Sequence, residues 1–159
     1  MESNPLRQQI ANMRQSLFDE VGWLKLQKML DEHYLIVEQL EDKNNPNFAE
    51  DIMAMYFRDS TQLIANLEQA LEKEKPHHDF IVMEKQLYQL AGSSASVGAN
   101  QVSIEVDNMR KCTREHDIER MKTTLQKVKK EHEKLRGRIE PYFQLLRQVG
   151  PVETAQRPS

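Results

Sequence analysis

The chain is poor in the residues that make turns and disulfides. Its 159 residues include five glycines, six prolines and one cysteine, Cys112. A sandwich or barrel needs many tight turns, so this composition argues against an all-β fold. A single cysteine excludes an internal disulfide and is typical of a reducing compartment. We therefore expect a helical, intracellular protein.

Other absences narrow the function. No apolar run approaches the ~20 residues that cross a bilayer, and the first residues do not resemble a signal peptide. A net charge of -3 gives no general attraction to nucleic acid. The nucleophile elbow, the glycine-rich phosphate loop and the zinc-protease motif are all missing. We expect a soluble protein that is not an enzyme and binds neither membrane nor nucleic acid.

What is present is a helical spacing of apolar residues along most of the chain. It predicts six helices, over about 5–18, 23–40, 47–75, 79–97, 100–115 and 118–146. Short connections between long helices indicate an all-α fold, an antiparallel four-helix bundle with two additional N-terminal helices. We expect a single domain over residues 1–148 and a flexible tail over 149–159.

Local signals set several helix ends. Asn47 followed by Glu50 predicts a capping box for the third helix, Asp79 and Asp117 are expected N-caps, and Gly98 is a natural stop. The apolar faces of the third and fourth helices are expected to include Met55 and Val82, respectively. The burial of these two side chains in the structure tests the prediction.

The histidines and the cysteine give no convincing metal site. Cys112 and His116 lie four residues apart on a helix, but two ligands make only half of a zinc site. His77 and His78 lie in a connector and are expected to be polar surface. His132 falls on the apolar seam of the last helix, which favours a packed, hydrogen-bonded histidine. We expect no metal and no cofactor.

The stretch 87–99 is unusual because Gly92 lies inside a helix among small residues, which costs about 1 kcal/mol relative to alanine. Ser94 lies in line with the apolar positions Leu87 and Leu90, so close packing explains it. A second stripe is formed by Tyr88, Ala91, Gly92 and Ala95. Periodicity alone favours docking and close packing equally for this stripe.

The same stretch resembles the signature of the plant histidine-containing phosphotransfer proteins, His-Gln-x-Lys-Gly-Ser-Ser-x-Ser-x-Gly-Ala. Here it reads Tyr88-Gln89-Leu90-Ala91-Gly92-Ser93-Ser94-Ala95-Ser96-Val97-Gly98-Ala99. The likeness covers about residues 1–148 and includes Leu30-Asp31-Glu32, Asn45-Pro46-Asn47-Phe48 and Phe57-Arg58-Asp59-Ser60.

Two departures fall on the reactive positions. Tyr88 occupies the position of the phosphoacceptor histidine, and Ala91 that of the lysine which neutralises the phosphate. An imidazole with a pKa near ~6.5 is a neutral nucleophile at cellular pH, whereas a phenol with a pKa near ~10 stays protonated. The chain is therefore similar to a pseudo-phosphotransfer protein that has no catalytic residue.

The resemblance implies docking on receiver domains of hybrid sensor histidine kinases and response regulators. The expected docking residues are Tyr88, Gln89, Ala91, Gly92, Ser93 and Ala95. Such a protein would damp a cytokinin-type phosphorelay as a monomer in the cytoplasm and nucleus. Two alternatives stay open: a phosphate carrier that uses another acceptor residue, and a helical scaffold with partners outside two-component signalling.

Overall fold

Residues 3–18, 29–72 and 79–148 are described by a computed structural model of the chain. These residues form six α-helices, namely α1 (Ser3–Phe18), α2 (Glu32–Gln39), α3 (Phe48–Glu72), α4 (Phe80–Ser96), α5 (Asn100–Arg114) and α6 (Ile118–Gln148). Within the described ranges the β-structure is limited to one isolated antiparallel bridge, between Leu30 and Ala99.

Helices α3 to α6 form the bundle. Helix α4 packs between α3 and α5, α6 packs on α5, α3 and α1, and α2 lies against α3 and α4. The seam predicted along α6 is buried at Met121, Leu125, Val128, Leu135 and Ile139. Burial of such apolar side chains is the main stabilising contribution to a bundle. The predicted all-α architecture, with two helices preceding a four-helix bundle, is confirmed.

Side-chain caps set the starts of two bundle helices as expected. Oδ1 of Asp79 accepts from N of Val82 at 3.1 Å, and Oδ1 of Asp117 accepts from N of Arg120 at 3.1 Å. The third helix differs from the prediction. Oε2 of Glu41 accepts from N of Ala49 at 3.2 Å, while Glu50 pairs with Arg147.

Helix α2 begins later than the apolar spacing predicts. Asp31 has an extended backbone and its side chain accepts from N of His33, so the helix starts at Glu32. Leu30 precedes it in the bridge to Ala99. The earlier part of the predicted helix, from Trp23 to Lys28, lies outside the described residues.

Two core predictions were wrong by one or two positions along the helix. Met55 and Val82 are exposed, whereas Met53 and Met83 are buried. A helix turns about 100° per residue, so such a shift moves a side chain from the core to the surface.

None of the described helices is long and apolar enough to cross a membrane. The predicted tail at 149–159 lies outside the described residues, so its flexibility stays a prediction.

Candidate docking surface on helix α4

The inward side of α4 belongs to the bundle core. Leu87, Leu90 and Ser94 are fully buried. Oγ of Ser94 shares a hydrogen bond of 2.8 Å with the hydroxyl of Tyr56 on α3. Burial raises the pKa of Tyr56 to about 12, so its hydroxyl is neutral and can donate or accept. The close-packing interpretation of Ser94 is confirmed.

The opposite side of α4 faces outward. Of the six expected docking residues, four are exposed and two, Ala91 and Ser93, are half-buried. Tyr88 is the most prominent, with 69% of its surface exposed. We call the surface of these six residues the α4 face; they are Tyr88, Gln89, Ala91, Gly92, Ser93 and Ala95. The structure thus brings them together on one side of a helix, and their role in docking stays a prediction.

Gly92 distinguishes docking from close packing. A Cβ atom added at this position would meet nothing within 4 Å, apart from the local helix backbone. Packing inside the chain therefore does not require a glycine there. An approach by another molecule would explain it, because glycine leaves the backbone accessible.

The serine hydroxyls beside Gly92 are bonded locally. Oγ of Ser93 donates to O of Leu90 at 3.2 Å, and Oγ of Ser96 donates to O of Gly92 at 2.9 Å. Such bonds to the preceding turn are common for serine in helices. Neither serine brings a charge to this surface.

The C-terminal end of α4 is rigidly fixed. N of Ala99 donates to O of Ser94, N of Gly98 donates to O of Ala95, and Gly98 has φ +76°. This is a Schellman motif, which ends a helix through a residue of positive φ. N of Asp31 also donates to O of Gly98, at 3.0 Å. The α4 face is thereby held in place relative to α2.

Arg110 of α5 lies beside Tyr88 and was missed by sequence reasoning. Its Cζ atom lies 5.6 Å from the centroid of the Tyr88 ring, within the range of a cation–π contact. Tyr88 and Arg110 are separated from Ala99 by the same number of residues in the sequence, and the chain turns between α4 and α5 at Ala99. Antiparallel helices bring such equidistant residues together, so the turn at Gly98 could have predicted the contact.

Glu84 lies one turn before Tyr88, close enough in sequence to be considered as a base for the phenol. Its Oε1 atom lies 3.7 Å from Nε of Arg110 and 3.9 Å from Nε of Arg114. The carboxylate therefore faces the arginines of α5. Activation of a phenol would require a tight base–nucleophile pair, and the position of the Glu84 carboxylate does not provide one.

Exposed Ile81 extends the apolar part of the outward side. It lies two turns before Tyr88, and 72% of its surface is exposed. Sequence reasoning did not single it out. Its spacing of seven residues from Tyr88 is the signal that could have found it, because such residues share a helix face.

The histidines take different positions. Nε2 of His132 and Oγ of Ser60 share a hydrogen bond of 2.7 Å in the core, which confirms the expected packed histidine. Burial, with a smaller contribution from Arg136, lowers the pKa of His132 to about 4. The ring of His116 stacks on Phe80 at 3.9 Å, and His33 contacts Asp31. His77 and His78 lie outside the described residues.

The half-site of Cys112 and His116 is not completed. Cys112 is buried, and its Sγ atom lies 3.8 Å from Oγ1 of Thr124. His116 is exposed and has φ +55° just beyond the end of α5. Among residues 3–18, 29–72 and 79–148, no group of three potential metal ligands occurs.

Comparisons with known proteins agree on one family. Residues 51–138 match the model of the Hpt domain. The chain is 44% identical to pseudo histidine-containing phosphotransfer protein 5 of Oryza sativa subsp. japonica, over 100% of this chain and 99% of that protein. Histidine-containing phosphotransfer protein 4 of Arabidopsis thaliana is 42% identical, over 75% of this chain and 92% of that protein.

Solved structures show the same fold. A histidine-containing phosphotransfer protein from Medicago truncatula has a TM-score of 0.81 at 26% identity, covering 92% of this chain and 93% of that one. A protein from maize with the same description has a TM-score of 0.80 at 26% identity, covering 91% of this chain and 99% of that one.

Proposed function

The chain belongs to the plant histidine-containing phosphotransfer family, in its pseudo form, and we propose that it docks on receiver domains without accepting phosphate. Its partners are then the receivers of hybrid sensor histidine kinases and of response regulators. By occupying them as a monomer in the cytoplasm and nucleus, it damps a cytokinin-type phosphorelay. On this proposal the protein is not an enzyme.

The observation that carries the proposal is the open outward surface at Gly92. The chain's own packing leaves this position free, since an added Cβ would meet nothing within 4 Å beyond the local helix. Tyr88 and Ala91 on the same face supply neither the imidazole nor the ammonium of the family signature. The shape expected for docking is thus present while the groups expected for transfer are replaced.

The replaced groups matter for chemical reasons. Phosphotransfer from an aspartyl phosphate needs a nitrogen nucleophile and gives a labile phosphoramidate that can be passed on. A tyrosine would instead form a stable ester, which is a poor donor. A methyl group at Ala91 offers no electrostatic stabilisation of a transferring phosphoryl group.

A competition assay tests the proposal. Phosphotransfer from a receiver domain to an active histidine-containing carrier is followed while increasing amounts of this protein are added. We expect direct binding to the receiver and a progressive fall in the initial transfer rate. Failure to bind and failure to slow transfer would together refute the proposal and favour a scaffold with partners outside two-component signalling.

The alternative of a different acceptor residue has a separate test. His132 is buried and hydrogen-bonded, whereas His33 and His116 are exposed at other places in the bundle. Incubation with a receiver carrying labelled phosphate should leave this protein unlabelled. The double variant Tyr88→His with Ala91→Lys is the positive control, and we expect it to acquire some label. Stable labelling of a histidine in the unaltered protein would overturn the proposal.

A further inference from the structure

Arg110 occupies a distinctive position beside the α4 face. It projects from α5 towards Tyr88, with 22% of its side chain exposed. The ring of Tyr88, by contrast, is largely exposed. An approaching molecule that covers Tyr88 would therefore also meet the edge of the Arg110 guanidinium.

The acidic neighbours of Arg110 lie beyond hydrogen-bond distance of the guanidinium nitrogens that they approach. Glu84 lies 3.7 Å from its Nε atom and Asp107 lies 3.8 Å from its Nη1 atom. Hydrogen bonds between arginine and carboxylate are usually about 2.7–2.9 Å long. In the part of the chain that the structure describes, Nε of Arg110 is buried and makes no hydrogen bond.

Three arginines elsewhere in the bundle make closer pairs. Arg14 lies 2.6 Å from Glu38, Arg147 lies 2.8 Å from Glu50, and Arg136 lies 2.9 Å from Glu140. Arg110 differs from these three because its carboxylate neighbours lie at longer distances, as does the Glu84 neighbour of Arg114. Nε of Arg110 is buried, so a carboxylate from outside would have to accept from the exposed part of the guanidinium, where it could form a shorter contact than these neighbours do.

We propose that Arg110 is the residue of the docking surface that recognises the acceptor aspartate of a receiver domain. This inference rests on the proposed function. The partner's carboxylate accepts from the guanidinium, and the ring of Tyr88 orients the guanidinium from one side. Ala91 provides no charge, so Arg110 supplies the positive group that complements the acidic partner.

The inference gives Tyr88 a defined role. A histidine at this position would attack the partner's aspartyl phosphate, whereas the larger phenol ring supports an arginine by a cation–π contact. The acceptor carboxylate is then engaged by a group that forms no covalent bond. Masking of the aspartate would follow from docking itself.

The test uses Arg110→Gln with Arg136→Gln as its matched control. Both substitutions remove one positive charge, and both arginines lie over an aromatic ring, at 5.6 Å from Tyr88 and 5.7 Å from Phe57. Arg136 is on α6, which packs on α5, α3 and α1. Binding to a purified receiver domain is measured by calorimetry with each full-length variant.

We expect Arg110→Gln to weaken binding at least about tenfold, as for loss of a charge-assisted hydrogen bond. Arg136→Gln should change affinity less than about twofold. Affinity of the unaltered protein should fall with added salt, and Arg110→Gln should reduce that dependence. Arg110→Lys, which keeps the charge but loses the planar fork, should fall between the two.

A double-mutant cycle identifies the partner group. The receiver's acceptor aspartate is replaced by asparagine, and its effect is measured with the unaltered protein and with Arg110→Gln. We expect the asparagine change to weaken binding of the unaltered protein and to have little effect on Arg110→Gln. Circular dichroism confirms that each variant is folded, and Arg110→Lys replaces Arg110→Gln in the cycle if the latter unfolds.

The outcomes separate the inference from the function on which it rests. Absence of receiver binding by the unaltered protein would refute the proposed function itself. Normal binding by Arg110→Gln, or additive effects in the cycle, would refute the role of Arg110 and leave docking standing.

Discussion

Two glycines of one motif, Gly92 and Gly98, lie in opposite surroundings. A Cβ at Gly92 would meet open space, whereas a Cβ at Gly98 would lie 2.5 Å from the backbone N of Tyr34. Gly98 also has φ +76°, a conformation that favours glycine. The first glycine belongs to the exposed side of α4 and the second to its fixed end. A motif shared with a family thus contains separate packing and docking parts.

This difference explains how chemistry could be lost without loss of the fold. The packing part includes Ser94, Gly98 and Ala99, which are buried in contact with other elements. The substituted positions Tyr88 and Ala91 lie on the outward side, where a new side chain meets solvent or a partner. Changes there need not disturb the core.

The largest expected effect is that of Gly98→Ala. The methyl group would overlap the backbone of Tyr34, and the backbone of the alanine would have to adopt a left-handed conformation. We expect the free energy of unfolding to fall by about 4 kcal/mol, combining backbone strain with overpacking. Urea denaturation measures it. A loss below about 1 kcal/mol would mean that the end of α4 is less tightly fixed than its contacts indicate.

The next effect concerns His132 in the bundle core. Its pKa is lowered from 6.5 to about 4, so the unfolded chain takes up the proton first. Its contribution to stability is complete above about pH 6.5 and is lost as the pH falls towards 4. We expect this loss to be about 2–3 kcal/mol.

Denaturation at pH 7, 6, 5 and 4 measures this loss. Because carboxylates also titrate there, the comparison is with His132→Gln, which can keep the hydrogen bond to Ser60. Equal pH dependence in both proteins would contradict the assignment.

A smaller effect is expected for Ser94→Ala. The hydroxyl of Tyr56 would lose its 2.8 Å hydrogen bond while staying buried, which should lower the free energy of unfolding by about 1–2 kcal/mol. Ser96→Ala is the control on the exposed side of the same helix, with an expected change within about 0.5 kcal/mol. Thermal or urea denaturation of both variants gives the comparison. Equal losses would remove the distinction between the two sides.

The smallest effect has the opposite sign. Gly92→Ala should raise the free energy of unfolding by about 0.5–1 kcal/mol, because alanine is the better helix former and has room. Gly137→Ala, at an equally open position on α6, should do the same. Destabilisation by Gly92→Ala, measured in the same denaturation series, would show that the chain itself needs this glycine.

The sequence predicts the features that depend on local chemistry. Asp79, Asp117 and Gly98 set helix ends through their own side chain or backbone, and each was predicted correctly. The start of α3 was different, because its cap comes from Glu41, eight residues before Ala49. No short-range pattern specifies such a contact.

The candidate docking surface also has residues that local spacing predicts and one that it does not. Spacing alone places Tyr88, Gly92 and Ala95 on one stripe, and their exposure agrees. Arg110 approaches from a second helix, so it appears only when α5 is folded back along α4. The distances from Arg110 to Glu84 and Asp107 depend on helix packing, which the periodicity of the sequence does not describe.

The most direct test of docking through the α4 face compares Gly92→Arg with Gly137→Arg. Both positions are helical, exposed and free of neighbours within 4 Å of an added Cβ beyond the local helix, so both variants should fold. Calorimetric titration with one receiver domain gives the affinities. We predict that Gly92→Arg weakens binding at least about tenfold, or about 1.4 kcal/mol, while Gly137→Arg binds like the unaltered protein. Equal affinity of the two variants would contradict docking through the α4 face.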